Sequence, residues 1–161
     1  MKIVFDCDGV IRDLLGYLHT VHKVPLAEEW FWTYWGKDIY EWAKEDDYKI
    51  LTAAPPTEYL PIAVKFAKEI WTSQPPVWQA KTIIWCDKHL PGVKIRFLTN
   101  AEKRERLDFL TDTILIEDSP EFDNYRRIIL VDTLYNKGKG YFRVAGAEEL
   151  GQLCQNILSL E

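Results

Sequence analysis

The sequence predicts an α/β fold: a mostly parallel sheet layered with helices, with a small helical insertion after the first strand. Three observations predict it. Short apolar runs rich in β-branched residues recur at 2–6, 69–73, 93–100, 112–118 and 127–132, with helical segments between most of them. Four of these runs give way abruptly to polar residues, at Asp6, Thr72, Asn100 and Asp118. Residues 14–54 interrupt the alternation with an aromatic, acidic stretch.

KIVFD at 2–6 reads as a buried strand that Asp8-Gly9 then breaks. Within 14–54, Trp30, Phe31, Trp32, Tyr34, Trp35, Tyr40 and Trp42 mix with Glu28, Glu29, Asp38, Glu41, Glu45, Asp46 and Asp47. The spacing of Trp35, Ile39, Trp42 and Ala43 predicts one helix face. Pro55-Pro56-Thr57 punctuates the chain, and Thr57 is a candidate cap for a helix with Leu60, Ala63, Val64 and Ala67 on its apolar side. Pro61 falls in that helix's first turn, where proline is tolerated. The strand at 69–73 stops at Pro75-Pro76, and a helix over 77–90 follows, with Val77, Ile84 and Trp85 on its expected apolar face and Pro91-Gly92 as its end. Strands follow at 93–100, 112–118 and 127–132, with a short last one at 141–144 and a terminal helix over 147–159. The chain divides into a core of 1–13 and 55–161 and an inserted helical cap of 14–54.

At 161 residues, 47 % of them hydrophobic and 28 % charged, the chain suits one soluble globular domain with a core of its own. No apolar run approaches the roughly 18 residues that span a bilayer, and the start lacks a signal peptide's apolar region. Cys7, Cys86 and Cys154 form no CxxC pair and no disulfide framework, so a reduced, cytoplasmic protein without zinc is expected. The net charge of −5 disfavours long nucleic acids as partners, because binding them depends on neutralising phosphates. A small phosphorylated substrate needs only a local cation or metal and fits; no membrane partner is expected, and a homodimer stays open.

In an open parallel sheet the carboxyl ends of the strands share one edge, and ligands bind there. Asp6, Asp8 and Asp118 would meet at that edge and repel one another unless a cation lay among them. Clustered hard oxygen ligands suit Mg²⁺, which keeps its waters and bridges to phosphate. Lys103 offers a second positive charge, and Thr72 and Ser73 offer hydroxyls to phosphate oxygens. One aspartate beside the metal can attack phosphorus, and the other, two residues on, can protonate the leaving oxygen and then activate water. On an extended strand end residues 6 and 8 share a face, and Gly9 lets the chain turn away.

DCDGV resembles the nucleophile motif of the haloacid dehalogenase (HAD) superfamily of phosphatases, and Thr72, Lys103 and the pair Glu117-Asp118 follow in that superfamily's order. DCDGVIRD, WTSQ, LTNAEK, LIEDSP and the ending RRIILVDTLYN…YFRV are most similar to the 5′(3′)-deoxyribonucleotidases. The resemblance covers about the whole chain. It implies a Rossmann-like three-layer sandwich of HAD-like type and a phosphomonoesterase that forms an aspartyl-phosphate. Asp6 would be the nucleophile and Asp8 the general acid and base. Mg²⁺ would be held by the Asp6 side chain, the Asp8 backbone carbonyl and Asp118, and phosphate by Thr72 and Lys103. Phe31-Trp32 resembles the aromatic pair that packs near the nucleoside base. Glu117 departs from the usual first acid, Ser119 stands where these nucleotidases tend to carry Arg, and the cap is short.

Blander readings compete. Asp-Gly is also turn chemistry, Lys103 lies in the charge run EKRER, the aromatic stretch can simply be the insertion's own core, and Asp123 can orient Lys103 or cap a helix. His19, His22 and His89 form no metal-ligand grouping, and Cys7 reads as packing. Other phosphatase substrates, a nucleic-acid 3′-phosphate or a sugar phosphate, remain alternatives. A receiver-like signalling domain shares the acidic pocket, but its residue order differs, because here Lys103 precedes Asp118. A catalytically dead relative is disfavoured because both aspartates are present.

Overall fold

A computed structural model of the chain describes residues 1–26, 28–30 and 33–159. Six strands form one sheet: β1 (Lys2–Phe5), β2 (Glu69–Thr72), β3 (Lys94–Phe97), β4 (Thr113–Glu117), β5 (Ile128–Val131) and β6 (Phe142–Val144). Their spatial order is β3-β2-β1-β4-β5-β6, and every pairing is parallel. The expected strands are all present, each slightly shorter than its apolar run.

Alternate residues of each strand feed two cores, as the pleat requires. Ile3, Phe5, Ile70, Ile116 and Ile129 pack on one side, under α4 (Leu60–Phe66), α5 (Pro76–His89) and α7 (Ala147–Leu158). Val4, Trp71, Leu115 and Leu130 pack on the other, with Leu107 of α6 (Asn100–Phe109) and Phe122. The result is a three-layer α/β sandwich.

The helices correct the sequence reading in three places. On α5 the buried residues are Trp78, Thr82, Trp85 and Cys86, while Val77 and Ile84 are 57 % and 61 % exposed. Apolar residues occur all round this helix, so periodicity alone does not choose the inner face; packing on the sheet core through Trp85 and Cys86 and on the insertion through Trp78 does. Trp35 is not helical: its φ is +53°, it is 78 % exposed, and it stacks on Tyr34. Trp42 and Ala43, as expected, lie on the buried side of α2 (Ile39–Glu45). Thr57 does not cap α4, which starts after Tyr59. It fastens the two linkers of the insertion: its N–H donates to Ile11 O at 3.0 Å and its hydroxyl to Val10 O. Asp13 N–H donates to Pro55 O at 2.9 Å beside it.

The insertion carries α1 (Leu14–His22), α2 and α3 (Ile50–Ala53). Leu14, Leu18, Val24, Trp42, Ile50 and Leu51 form a small cluster, completed by Trp78 from α5. Among the described residues, no helix is long and apolar enough to cross a membrane.

One buried carboxylate secures the sheet rather than any site. Glu69 in β2 accepts hydrogen bonds from Arg96 at 2.7 and 3.0 Å and from Trp71 Nε1 at 2.8 Å, with Lys2 Nζ 3.1 Å away. Burial opposes its ionisation, but the bonds from Arg96, Trp71 and Lys2 outweigh it and bring the carboxyl down to about 2. A depressed carboxyl stabilises the fold above its unfolded pKa of about 4.3, and that contribution is lost as pH falls towards 2. Glu69→Gln should therefore lower stability at pH 7 by ~2 kcal/mol and flatten the decline between pH 4.5 and 2. Urea titrations at pH 7 and pH 3 check this: an equal deficit at both would contradict it.

Candidate functional site

The strand order reverses beside β1: β2 and β3 lie on one side of it, and β4, β5 and β6 on the other. A crevice opens between the carboxyl ends at such a point. Phe5 pairs with Ile116, and Asp6 N–H donates to Ile116 O at 2.8 Å, so Asp6 emerges beside Glu117-Asp118. Carboxylate oxygens of Asp6, Glu117 and Asp118 lie within 4.8 Å of one another, and all three residues are buried.

Helix α6 brings the cation. Thr99 and Glu102 form a capping box: Thr99 Oγ1 accepts from Glu102 N–H at 3.2 Å, and Glu102 Oε2 accepts from Thr99 N–H at 2.7 Å. This fixes the first turn, from which Lys103 enters the cluster. Its Nζ donates to Asp6 Oδ1 at 2.6 Å and to Glu117 Oε2 at 2.9 Å, and only 1 % of the residue is exposed. Lys103 is thus no member of a solvated charge run. Glu117 holds it, while Asp123 does not touch it; Asp123 accepts from Gly140 N–H instead.

Three carboxylates meet one ammonium, so full ionisation would leave two negative charges in excess. Burial and then Glu117 push the Asp6 carboxyl well above its usual range, which Lys103 only partly offsets. Burial, Glu117 and Asp6 do the same to Asp118, against a lowering hydrogen bond from Tyr135. Burial opposes the charge on Lys103, but Asp6 and Glu117 outweigh it and raise the ammonium above its ordinary value.

The donor set fits a hard divalent cation. Both oxygens of Glu117 are engaged, Oε2 by Lys103 and Oε1 by the N–H groups of Asp118 and Ser119, which leaves the second oxygen of Asp6 and the carboxylate of Asp118 to offer to a cation. Space is kept for them: Gly9 has φ +82°, and a Cβ there would lie 1.9 Å from Asp118 Oδ2. Tyr135 OH donates to the same oxygen, and Asn136 Nδ2 donates to Asp118 O at 2.8 Å.

Asp8 faces elsewhere. Its Oδ1 accepts from Arg12 Nε at 2.7 Å and its Oδ2 from Gln74 Nε2, so its side chain is outside the carboxylate cluster. The backbone carbonyl remains the Asp8 group that the sequence resemblance assigns to a metal. Thr72 is buried and Ser73 exposed at the end of β2. Asp6, Asp8, Thr72, Ser73, Lys103 and Asp118 all line one cavity of about 510 Å³. Its remaining walls include Leu15, Leu26, Trp30, Ile39 and Tyr40 from the insertion, and Trp78 from α5. Phe31 and Trp32, expected at a substrate's base, lie outside the described residues. Cys7 is buried in the core, consistent with packing.

Sequence reasoning missed Arg12, Gln74 and Tyr135. Tyr135 carried a signal, since it follows a strand end as the other site residues do. Arg12 carried none, because a lone arginine between apolar residues says nothing about what it meets.

No protein-family model matches the sequence, and no curated protein is significantly similar to it. Among solved structures, one from Burkholderia xenovorans LB400, provisionally described as a haloacid dehalogenase-like hydrolase, is similar with a TM-score of 0.50. The likeness covers 98 % of each chain at 12 % sequence identity. At that identity the likeness is one of fold, and the architecture of this chain is haloacid dehalogenase-like.

Proposed function

We propose that the chain is a Mg²⁺-dependent phosphomonoesterase that works through an aspartyl-phosphate, with deoxyribonucleoside monophosphates as its substrates. The observation that carries this reading is the meeting of Asp6, Asp118 and Lys103 at the floor of one cavity, from strand ends and a helix far apart in sequence.

In this reading Asp6 attacks phosphorus: an Asp6 O–P bond forms as the bond to the leaving oxygen breaks. Asp8 gives that oxygen its proton, then takes one from the water that attacks the acyl phosphate, which restores the Asp6 carboxylate and frees phosphate. Lys103 has three N–H donors, and Asp6 and Glu117 use two of them, so the third is available to a phosphate oxygen. Thr72 and Ser73 add hydroxyls beside it. Mg²⁺ on Asp6, the Asp8 carbonyl and Asp118 would neutralise charge on the transferred phosphoryl group. The aromatic and aliphatic walls of residues 14–54, acting as a cap, and of Trp78 suit the flat faces of a base in a nucleoside leaving group.

Phosphate release should be measured, with and without Mg²⁺, from deoxyribonucleotides, sugar phosphates, an alkyl phosphate and 3′-phosphorylated oligonucleotides. Preferred turnover of the deoxyribonucleoside monophosphates with Mg²⁺ is expected. Turnover of only the oligonucleotides or sugar phosphates would reject the nucleotidase assignment. Inertness towards all of them would reject the enzyme.

A further inference from the structure

Arg12 is fully buried where β1 leads into the insertion. Its guanidinium spends donors in three directions. Nε and Nη2 each lie 2.7 Å from Asp8 Oδ1. Nη1 donates to Leu51 O in α3 at 2.6 Å, and Nη2 to Thr82 Oγ1 in α5 at 3.0 Å. The cation also lies 5.5 Å from the ring centre of Trp85, whose Nε1 donates to Ala54 O at 2.9 Å. One planar ion therefore touches a site carboxylate, the last helix of the insertion and the core helix beneath it. Gln74 closes the far side of Asp8 through its Nε2, while its own Oε1 is buried without a donor.

We propose that Arg12 is a positioning residue for Asp8: anchored on Thr82 and Leu51, it fixes the orientation of the Asp8 carboxylate at the cavity wall and ties that orientation to the seat of the insertion on α5. The inference rests on the phosphatase reading above, in which Asp8 moves the protons. A guanidinium suits this role better than an ammonium, because its donors lie in one fixed plane and transmit orientation as well as charge. Lysine would keep the charge and lose the fork.

The readout is leaving-group dependence. An alkyl leaving oxygen needs its proton as the bond to phosphorus breaks, whereas p-nitrophenolate departs without one. In Arg12→Lys and Arg12→Met, kcat for an alkyl phosphomonoester should fall by about 10–100-fold, with the lysine variant the milder, and KM should move much less. The first turnover of p-nitrophenyl phosphate should stay near the wild-type rate. Because Asp8 also serves the second step, nitrophenolate should then appear as a burst followed by slow turnover. If the arginine variants do not fold, Thr82→Val removes one anchor without touching Asp8 and should show the same selectivity at smaller size.

Equal loss for both substrates, in the first turnover as well as the steady state, would make Arg12 structural glue and overturn the inference. A deoxyribonucleoside monophosphate, whose 5′ oxygen is an alkyl leaving group, serves as the alkyl substrate; a wild-type protein inert to it and to p-nitrophenyl phosphate would sink the phosphatase reading and the inference with it, whereas an active wild type with uniform loss in the variants sinks the inference alone.

Discussion

Asp6→Asn is expected to reduce phosphate release by at least about 10³-fold while leaving the metal-free protein as stable as the wild type or more so. The two halves of this expectation have one cause. Asp6 is held at the end of β1 beside Glu117 and Asp118, where burial and the neighbouring carboxylates oppose its charge. An amide of the same shape removes a repelling charge from that group. Lys103 keeps its 2.9 Å bond to Glu117, so no buried ammonium is left alone. The amide also lacks the carboxylate oxygen that forms the covalent bond to phosphorus in the proposed mechanism. Melting curves in chelator, set beside single-turnover assays, test both halves. An active variant would exclude Asp6 as the nucleophile. A fall in Tm of several degrees would mean that the Asp6–Lys103 ion pair, and not repulsion, dominates the metal-free cluster.

The second large effect is expected at Gly9. Alanine there must adopt φ near +82°, which costs ~1–2 kcal/mol, and its Cβ would lie 1.9 Å from Asp118 Oδ2 and 2.9 Å from Tyr135 OH. Asp118 and Tyr135 must then move, adding ~1–3 kcal/mol of strain and displacing a proposed metal ligand. Gly92 provides the control, because it has the same φ of +82° with nothing within 4 Å of the place a methyl group would take. Gly92→Ala should show the backbone cost alone. Gly9→Ala should melt lower than Gly92→Ala by about 2–10 °C, lose the stabilisation by Mg²⁺ expected of the wild type, and lose turnover. Equal melting temperatures and equal Mg²⁺ stabilisation in the two variants would show that Gly9 is not what keeps the site open.

Legibility differed between the sheet and the site. The central strands announced themselves, because β1, β4 and β5 are buried along nearly their whole length and so read as apolar runs. The polar residues closing the apolar runs marked Asp6, Thr72, Asn100 and Asp118 for the same reason, with Lys103 one helical turn beyond Asn100. On α5 Trp85 was read correctly as buried, but Val77 and Ile84 were misplaced, because only packing on the sheet core, through Trp85 and Cys86, and on the insertion, through Trp78, selects the inner face. Glu117 was visible as an acid, but its work of holding Lys103 was not, since the two meet through a strand and a helix that converge only on folding.

What the sequence determined by itself was the alternation of strands and helices, and with it the edge of the sheet on which its carboxylates must gather. That follows from local physics: burial dictates the apolar runs, and the pleat and the helical turn dictate their periods. The tertiary structure alone decided which charges neutralise which. Asp6 faces Lys103, Asp8 turns to Arg12 and Gln74, and Asp118 meets Tyr135, because side-chain pairing depends on distances between strand ends and helices that no spacing along the chain encodes.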